Sequence, residues 1–236
     1  FTEEEDGSLT INAQEGGDPF RIWRLLDEQN FSGRVDYEKA FDWRGLESKI
    51  KVGTSALFKE RDYEIQDFFI DIFANPNVPF NGDPDRLLID ENIINNAEGG
   101  TYISSSFQEN NSYNGRIQNL AAYVSTELAL TEKVKTVLGV RAENYDQFFT
   151  GQNQQGDRIF NDENVLSSLK FFPSVNLTYS YNESSNIRAS FSQTVARPSF
   201  KEKSTVEIQD VLTGRTFIGN IDLEETDINN FDIRWE

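Results

Sequence analysis

The chain has 236 residues, and its 40 acidic and 22 basic side chains give a formal net charge of −18. It contains no Cys, Met or His, which excludes a disulfide framework, a thiolate or Ser-His nucleophile and the usual kind of zinc site. Nucleic acid is not expected as a partner of so acidic a chain, and no apolar run reaches the length of about 18 residues that a transmembrane helix needs.

The hydrophobic pattern predicts strands. Apolar and polar residues alternate with period two, which places successive side chains on opposite faces of a strand. In chain order the alternating segments are 31–43, 50–58, 120–128, 134–142, 169–181 and 187–191, followed by a last one that opens near Ile228. No segment of comparable length has a helical period, so we predict an all-β chain.

The connections between these segments differ in length in a regular way. Short turns alternate with three long polar loops, at 74–110, 146–168 and 197–226. In an antiparallel meander, alternate connections lie at the same end of the sheet, so all the long loops would lie at one end. This asymmetry is typical of outer-membrane barrels and unusual in soluble β-sandwiches. We therefore predict an antiparallel up-and-down meander that forms part of a large transmembrane β-barrel.

The negative charge is concentrated outside the predicted strands. Segments 1–18, 74–110, 146–168 and 197–226 together contain 22 acidic and 6 basic residues, whereas the remaining segments are nearly neutral. Solvation of ordinary surface loops explains this distribution. An anionic outer rim that attracts cationic ligands or divalent ions explains it equally well, and the sequence leaves both interpretations open.

One passage in the C-terminal third resembles a known family. Segment 191–200, which reads Phe-Ser-Gln-Thr-Val-Ala-Arg-Pro-Ser-Phe, is similar to the strand-to-loop passage in barrels of TonB-dependent receptors, especially the Bacteroidota-type subset. Segments 119–123, 138–143 and 219–236 resemble neighbouring strands of the same barrel. The resemblance implies a 22-stranded barrel plugged by an N-terminal domain. Residues 1–236 would supply about seven of those strands and no plug domain.

The resemblance also implies a function. Such receptors import a scarce nutrient through the outer membrane of Gram-negative bacteria with energy from the TonB system. The implied partners are TonB, reached through the missing plug domain, outer-membrane lipid, and a nutrient ligand at the extracellular loops. The ligand class, whether an iron chelate, a glycan, a peptide or a vitamin, is not encoded in a short motif. The alternative is a soluble or secreted β-rich glycan-binding module, in which a second sheet would cover the apolar faces of 31–43 and 169–181.

Few residues are candidates for a specific site. Asp83 and Asp85 are weak candidates for an irregular calcium site, since Leu88 occupies the place of the glycine that an EF-hand requires. Arg141 and Glu143 share the polar side of one strand, and Arg188 lies on the polar side of another. We predict that these three face the barrel lumen, with a solvated salt-bridging face as the alternative. We expect no enzyme activity, no catalytic residue and no cofactor.

Overall fold

The computed structural model of the chain describes residues 2–3, 5, 9–10, 20–71, 102–107, 109–210 and 212–236. Most of the predicted loop 74–110, including Asp83 and Asp85, lies outside these residues. The described strands are β1 Thr2–Glu3, β2 Leu9–Thr10, β3 Phe20–Trp43, β4 Leu46–Asp71, β5 Tyr102–Phe107, β6 Tyr113–Ala129, β7 Val134–Gln152, β8 Ile159–Asn182, β9 Ser185–Ala196, β10 Glu207–Asp210, β11 Arg215–Ile218 and β12 Thr226–Trp235. Glu109–Asn111 forms one turn of 3₁₀-helix. No described helix is long and apolar enough to cross a membrane.

The chain divides into two compact units. One unit comprises Phe1–Leu25 and Glu64–Glu109, and the other comprises Leu26–Tyr63 and Asn110–Glu236. In the first unit, β1 pairs with β2, and the end of β4 pairs with β5 in antiparallel register. The rings of Phe20 and Phe69 lie 6.2 Å apart in this unit.

The second unit is built on one sheet with the strand order β12-β9-β8-β7-β6-β4-β3. The order follows the chain, except that the short strands β5, β10 and β11 are not part of it. Neighbouring strands pair in antiparallel register. The prediction of an all-β antiparallel meander of about seven strands is confirmed.

The tightest connection owes its geometry to a glycine. Only Arg44 and Gly45 separate β3 from β4, and both have positive φ, of 55° and 80°. Two consecutive residues with positive φ define a type I′ turn, whose twist matches that of the strands it joins. Glycine adopts this backbone conformation without a steric penalty, which allows the hairpin to close in two residues.

The predicted bounds of one long loop are wrong. We predicted a loop over 146–168, but β7 continues to Gln152 and β8 begins at Ile159, which leaves 153–158 as the connection. Polar residues such as Asp146 and Asn164 continue the strands because the backbone ladder itself supplies their hydrogen bonds. The predicted loop 197–226 begins and ends close to the observed strands, but it contains the hairpin formed by β10 and β11.

The sheet has two chemically distinct faces. The apolar face includes one row across four strands, formed by Leu138, Val175, Phe191 and Phe231. On the opposite, polar face, a row runs through Ser55, Ala121, Glu143 and Lys170. Large side chains on the apolar face are exposed, and among the described residues no second sheet covers them. Examples of exposed residues in the segments 31–43 and 169–181 are Phe31, Val35, Leu169 and Phe171.

Pro173 marks the place where the ladder between β8 and β9 stops. The recorded register of these two strands ends at the pair Ser174 and Ser192. Proline lacks a backbone N–H and cannot donate to a ladder, which fits an end at this residue. Towards Ile159, β8 continues to pair with β7, and β9 continues to pair with β12 up to Ala196. On the side of Pro173 towards Ile159, β8 and β9 therefore belong to the same sheet but do not pair with each other through the backbone.

Candidate functional site on the polar face

An ion-pair network lies on the polar face where β9 ends. Arg197, the first residue after β9, donates from Nη1 to Oε2 of Glu143 and from Nε to Oε1 of Glu225, both at 2.7 Å. Glu143 in β7 also accepts a hydrogen bond from Nε of Arg141 at 2.6 Å. Lys170 in β8 lies 3.1 Å from Glu225. The network thus joins β7, β8 and the residue before β12 in the region where β8 and β9 have no backbone pairing.

The network is largely shielded from solvent and electrically balanced. The side chain of Glu225 is 4% exposed and that of Arg197 is 15% exposed. Ser168 donates to Glu225 at 2.8 Å, and Lys170 also binds Asp227 at 2.5 Å. Three cations and three carboxylates are present, so the network carries no net charge. Such an arrangement holds segments of chain together and is poorly suited to attracting an ion.

The two members that lie outside the strands are kept ionised. Burial alone would raise the pKa of Glu225, but hydrogen bonds from Arg197, Ser168 and Lys170 more than offset this and hold the pKa below its usual 4.5. Burial would lower the pKa of Arg197, and its bonds to Glu225 and Glu143 instead raise that pKa above its usual value. Both groups therefore remain charged at neutral pH.

Aromatic rings support the network and its surroundings. The guanidinium carbon of Arg197 lies 4.3 Å from the ring centroid of Tyr145, at a distance typical of a cation–π interaction. A row of four buried rings crosses the same end of the sheet, with successive centroids 5.4, 5.7 and 5.3 Å apart. Its members are Tyr63, Tyr113, Phe149 and Phe160. Their burial means that this end of the polar face is covered by protein.

Phe200 occupies a notch that a glycine leaves in β6. A Cβ atom built on Gly115 would meet Cδ1 of Phe200 at 2.5 Å and Cε1 at 2.7 Å, closer than real Cβ atoms approach. Phe200 is buried, and the guanidinium of Arg61 lies 5.2 Å from its ring centroid. The absence of a side chain at position 115 therefore allows the segment after β9 to lie directly on the strand.

The residues that follow Phe200 are also anchored. Both the backbone N–H and the hydroxyl of Ser199 donate to Oε2 of Glu202 at 2.8 Å, and these bonds lower the pKa of Glu202. Lys203 is only 2% exposed and donates from Nζ to the carbonyl oxygen of Leu223 at 2.7 Å. Burial lowers the pKa of Lys203. The next residue, Ser204, is fully buried.

The residues predicted from the sequence fall into separate places. Arg141 and Glu143 form an ion pair on the polar face, as part of the network around Arg197. Arg188 lies near the short turn between β8 and β9, where it pairs with Glu236 at 3.3 Å and is 52% exposed. The structure does not bring Arg188 together with the other two. Among the described residues, no group of three or more Asp and Glu is placed to hold a metal ion.

Sequence reasoning missed the residues that organise this site. Arg197 and Phe200 belong to the passage that carries the family resemblance, but their contacts are with residues distant in the chain. Glu225 precedes the last strand with no local feature to single it out. One signal was available for Lys170, because the register across the turn between β7 and β8 sets it directly opposite Glu143.

Comparison with known proteins defines the class. Residues 5–236 match the family described as TonB dependent receptor-like, beta-barrel, and the chain belongs to this family. The match does not identify the Bacteroidota-type subset, which stays a prediction.

Two solved structures resemble the chain. FpvAI in complex with pyocin S2 shares 17% identity and a TM-score of 0.55, over 91% of this chain and 24% of that one. The alcaligin outer-membrane receptor FauA from Bordetella pertussis shares 12% identity and a TM-score of 0.43, over 80% of this chain and 25% of that one. The chain thus spans about a quarter of the length of these two proteins. No curated protein matches the chain.

Proposed function

We propose that this chain is part of the barrel wall of an outer-membrane, TonB-dependent receptor that imports a scarce nutrient. The observation that carries the proposal is the division of the sheet into an exposed apolar face and an ion-paired polar face. A large transmembrane barrel needs both, because its outer surface contacts lipid and its interior is polar. Membership of the receptor barrel family supports the same location and role.

The extent of the apolar face supports a single membrane crossing by each strand. On β6 the apolar face carries Leu120, Val124 and Leu128, and on β7 it carries Leu138 and Val140. A tilted transmembrane strand needs about 9–11 residues, which is the length of chain that these positions occupy on β6. Beyond these apolar positions, polar residues occupy the same face of the strands. They suit the water at the edge of the membrane.

The partners follow from this role. In the barrel, the polar face would line the lumen, and Arg141, Glu143 and Arg188 would face the plug domain or the path of the substrate. The TonB system would act through the plug domain, which lies in another part of the receptor. The nutrient would bind at the extracellular loops, and the choice among iron chelate, glycan, peptide and vitamin is left to an uptake assay.

The orientation of the strands provides a first test. In the full receptor, with any other cysteine replaced, Ser184→Cys marks a short turn and Leu212→Cys marks the long loop after β9. We expect a membrane-impermeant maleimide to label Leu212→Cys in intact cells and to label Ser184→Cys only after the outer membrane is permeabilised. Labelling of Ser184→Cys in intact cells would contradict the proposed orientation, and recovery of the receptor in a soluble fraction would contradict the membrane location.

Uptake provides the second test. Radiolabelled probes of the four classes are offered to cells with the receptor, without it, and without TonB: a ferric siderophore, an oligosaccharide, an oligopeptide and cobalamin. We expect import of one probe to require both the receptor and TonB. If every probe enters all three strains equally, this chain does not belong to a receptor for any of them.

The alternative of a soluble glycan-binding module has less support. It requires a second sheet over the apolar faces of 31–43 and 169–181, whereas Val35 is 72% exposed and Leu169 is also exposed. The two functions predict different behaviour on extraction. A receptor wall requires detergent to stay in solution, and a secreted module does not.

A further inference from the structure

We propose that residues 197–206, here called the strap, form a fixed part of the inner wall and do not act as a lid that opens and closes over the lumen. Arg197 and Phe200 are the positioning residues that hold the strap. The exposed hairpin of β10 and β11 begins where the strap ends. The inference rests on the proposed function only in assigning the polar face to the lumen.

The first reason is the fit of Phe200 against Gly115. An aromatic side chain in a notch of the wall has one well-defined position, because the space exists only where the strand lacks a Cβ atom. A lid that swings away would have to expose this apolar ring to water, which is unfavourable. Phe200 therefore resists opening at the centre of the strap.

The second reason is the anchoring at the start of the strap. Arg197 binds Glu143 and Glu225 at 2.7 Å, and both carboxylates are mostly buried. Opening would leave two shielded carboxylates without this cation, which costs more than breaking an exposed pair. The start of the strap is thus tied to β7 and to the residue before β12.

The third reason is that the far end of the strap is tied to a different connection. The hydroxyl of Thr205 donates to the carbonyl oxygen of Gln152 at 2.7 Å. Gln154 donates from Nε2 to the carbonyl oxygen of Thr205, also at 2.7 Å. Between the two ends, Lys203 bonds to Leu223, and Val206 is fully buried. The start, the centre and the far end of the strap are therefore each held by residues outside it.

The hairpin beyond the strap has the opposite character. β10 and β11 form a sheet of two strands that pair with each other. At the turn Leu212 is 96% exposed, and Ile218 is also exposed. Asp210 accepts from the backbone N–H of Leu212 and from the hydroxyl of Thr213, so the turn keeps its shape while it projects into solvent. The fixed strap is thus followed by a hairpin that is accessible to solvent.

Hydrogen exchange tests the proposal without knowledge of the ligand. In the purified full receptor we expect the amides of 199–206 to exchange at least about tenfold more slowly than those of the β10–β11 hairpin. Phe200→Ala should accelerate exchange in the strap, Phe200→Leu should restore part of the protection, and Leu212→Ala is the control from the exposed turn of the hairpin. A strap that exchanges as fast as the hairpin, or an unchanged strap in Phe200→Ala, would overturn the inference.

A reversible lock tests the same proposal during import. Cγ of Phe200 lies 3.2 Å from the Cβ position of Gly115, which puts a Gly115→Cys/Phe200→Cys pair within reach of a disulfide. With the probe that the uptake assay identifies, we expect the oxidised and reduced forms to import at rates within about twofold of each other. A Ser180→Cys/Asn186→Cys pair, directly opposite each other near the short turn between β8 and β9 and away from the loops, controls for oxidation.

The outcomes separate the two proposals. If oxidation of the Gly115→Cys/Phe200→Cys receptor reduces import by about tenfold and reduction restores it, the strap is a moving lid and the inference is wrong. If the unmodified receptor imports none of the probes, the proposed function fails, and the exchange measurement still decides whether the strap is fixed.

Discussion

The two ends of the polar face use the same residue types to different effect. At the end near the strap, Arg197 bridges two carboxylates that water hardly reaches. At the end near the short turns, Arg188 and Arg234 lie opposite each other in register and share Glu236, and all three side chains are well exposed. At one end an arginine joins distant segments, whereas at the other end Glu236 offsets the repulsion between two neighbouring arginines.

This difference shows that burial, more than the presence of an ion pair, decides what a charged residue contributes. Exposed pairs are weakened by water and salt and contribute little to stability. A shielded pair is costly to break, because the partner left behind keeps a charge that water cannot solvate. The expected effects of substitution therefore differ several-fold between the two ends.

The largest effect is expected from Arg197→Met. This change leaves Glu143 and Glu225 shielded and without their shared cation, and it should lower the free energy of unfolding by about 3 kcal/mol. The measurement is the urea midpoint of the receptor reconstituted in vesicles. Arg197→Lys keeps the charge but cannot bind both carboxylates with a planar fork, so it should recover only part of the loss. Equal stability of Arg197→Met and the unmodified receptor would remove the contrast between the two ends.

Gly115→Ala should have the next largest effect. The new methyl group overlaps the ring of Phe200, and such overpacking costs about 1–3 kcal/mol. Adding Phe200→Ala removes the overlap, so the double variant should be less destabilised than the sum of the two single variants. A double-mutant cycle in urea measures this coupling, and strict additivity would mean that the two residues do not compete for the same space.

Acidification should lower the free energy of unfolding by a smaller amount, because it protonates Glu225 at the end of the polar face near the strap. The pKa of folded Glu225 lies below its usual 4.5, so its contribution is complete above pH 4.5 and is lost as the pH falls through the folded value. Urea midpoints measured from pH 7 to pH 3 should fall more steeply for the unmodified receptor than for Glu225→Gln in the acidic part of this range. Parallel curves for the two proteins would show that Glu225 does not contribute in this way.

The smallest effect is expected from Arg188→Ala. Its partner Glu236 still pairs with Arg234, and the substitution also removes the repulsion between two arginines, so the change should be about 0.5 kcal/mol or less. Here the urea midpoint is measured at low and high salt. A loss as large as that of Arg197→Met would mean that exposure does not set the difference between the ends.

The sheet could be predicted from the sequence because hydrophobic alternation and short turns are local features of the chain. The period-two pattern predicted the strands, and the short turns predicted antiparallel neighbours. The error at 146–168 came from treating polarity as a loop signal, whereas residues such as Asp146 stay in a ladder that needs no apolar side chain. Composition describes solvation better than it describes backbone pairing.

The site was only partly predictable for a different reason. Arg141 and Glu143 are two residues apart in one strand, so their shared face follows from the strand period. The contacts of Arg197 with Glu143 and of Phe200 with Gly115 join residues more than fifty positions apart. They depend on how a loop returns to the sheet, and no local rule encodes that path.

The end of the backbone ladder at Pro173 has a mechanical consequence. On one side of this residue, β8 and β9 are joined by successive backbone hydrogen bonds, and on the other side they are held near each other by side chains such as Lys170, Ser168 and Arg197. Backbone bonds resist acid, whereas an ion pair weakens when its carboxylate is protonated. If β8 and β9 are pulled apart, we expect them to separate first on the side of Pro173 that carries Lys170, and at a lower force in acid.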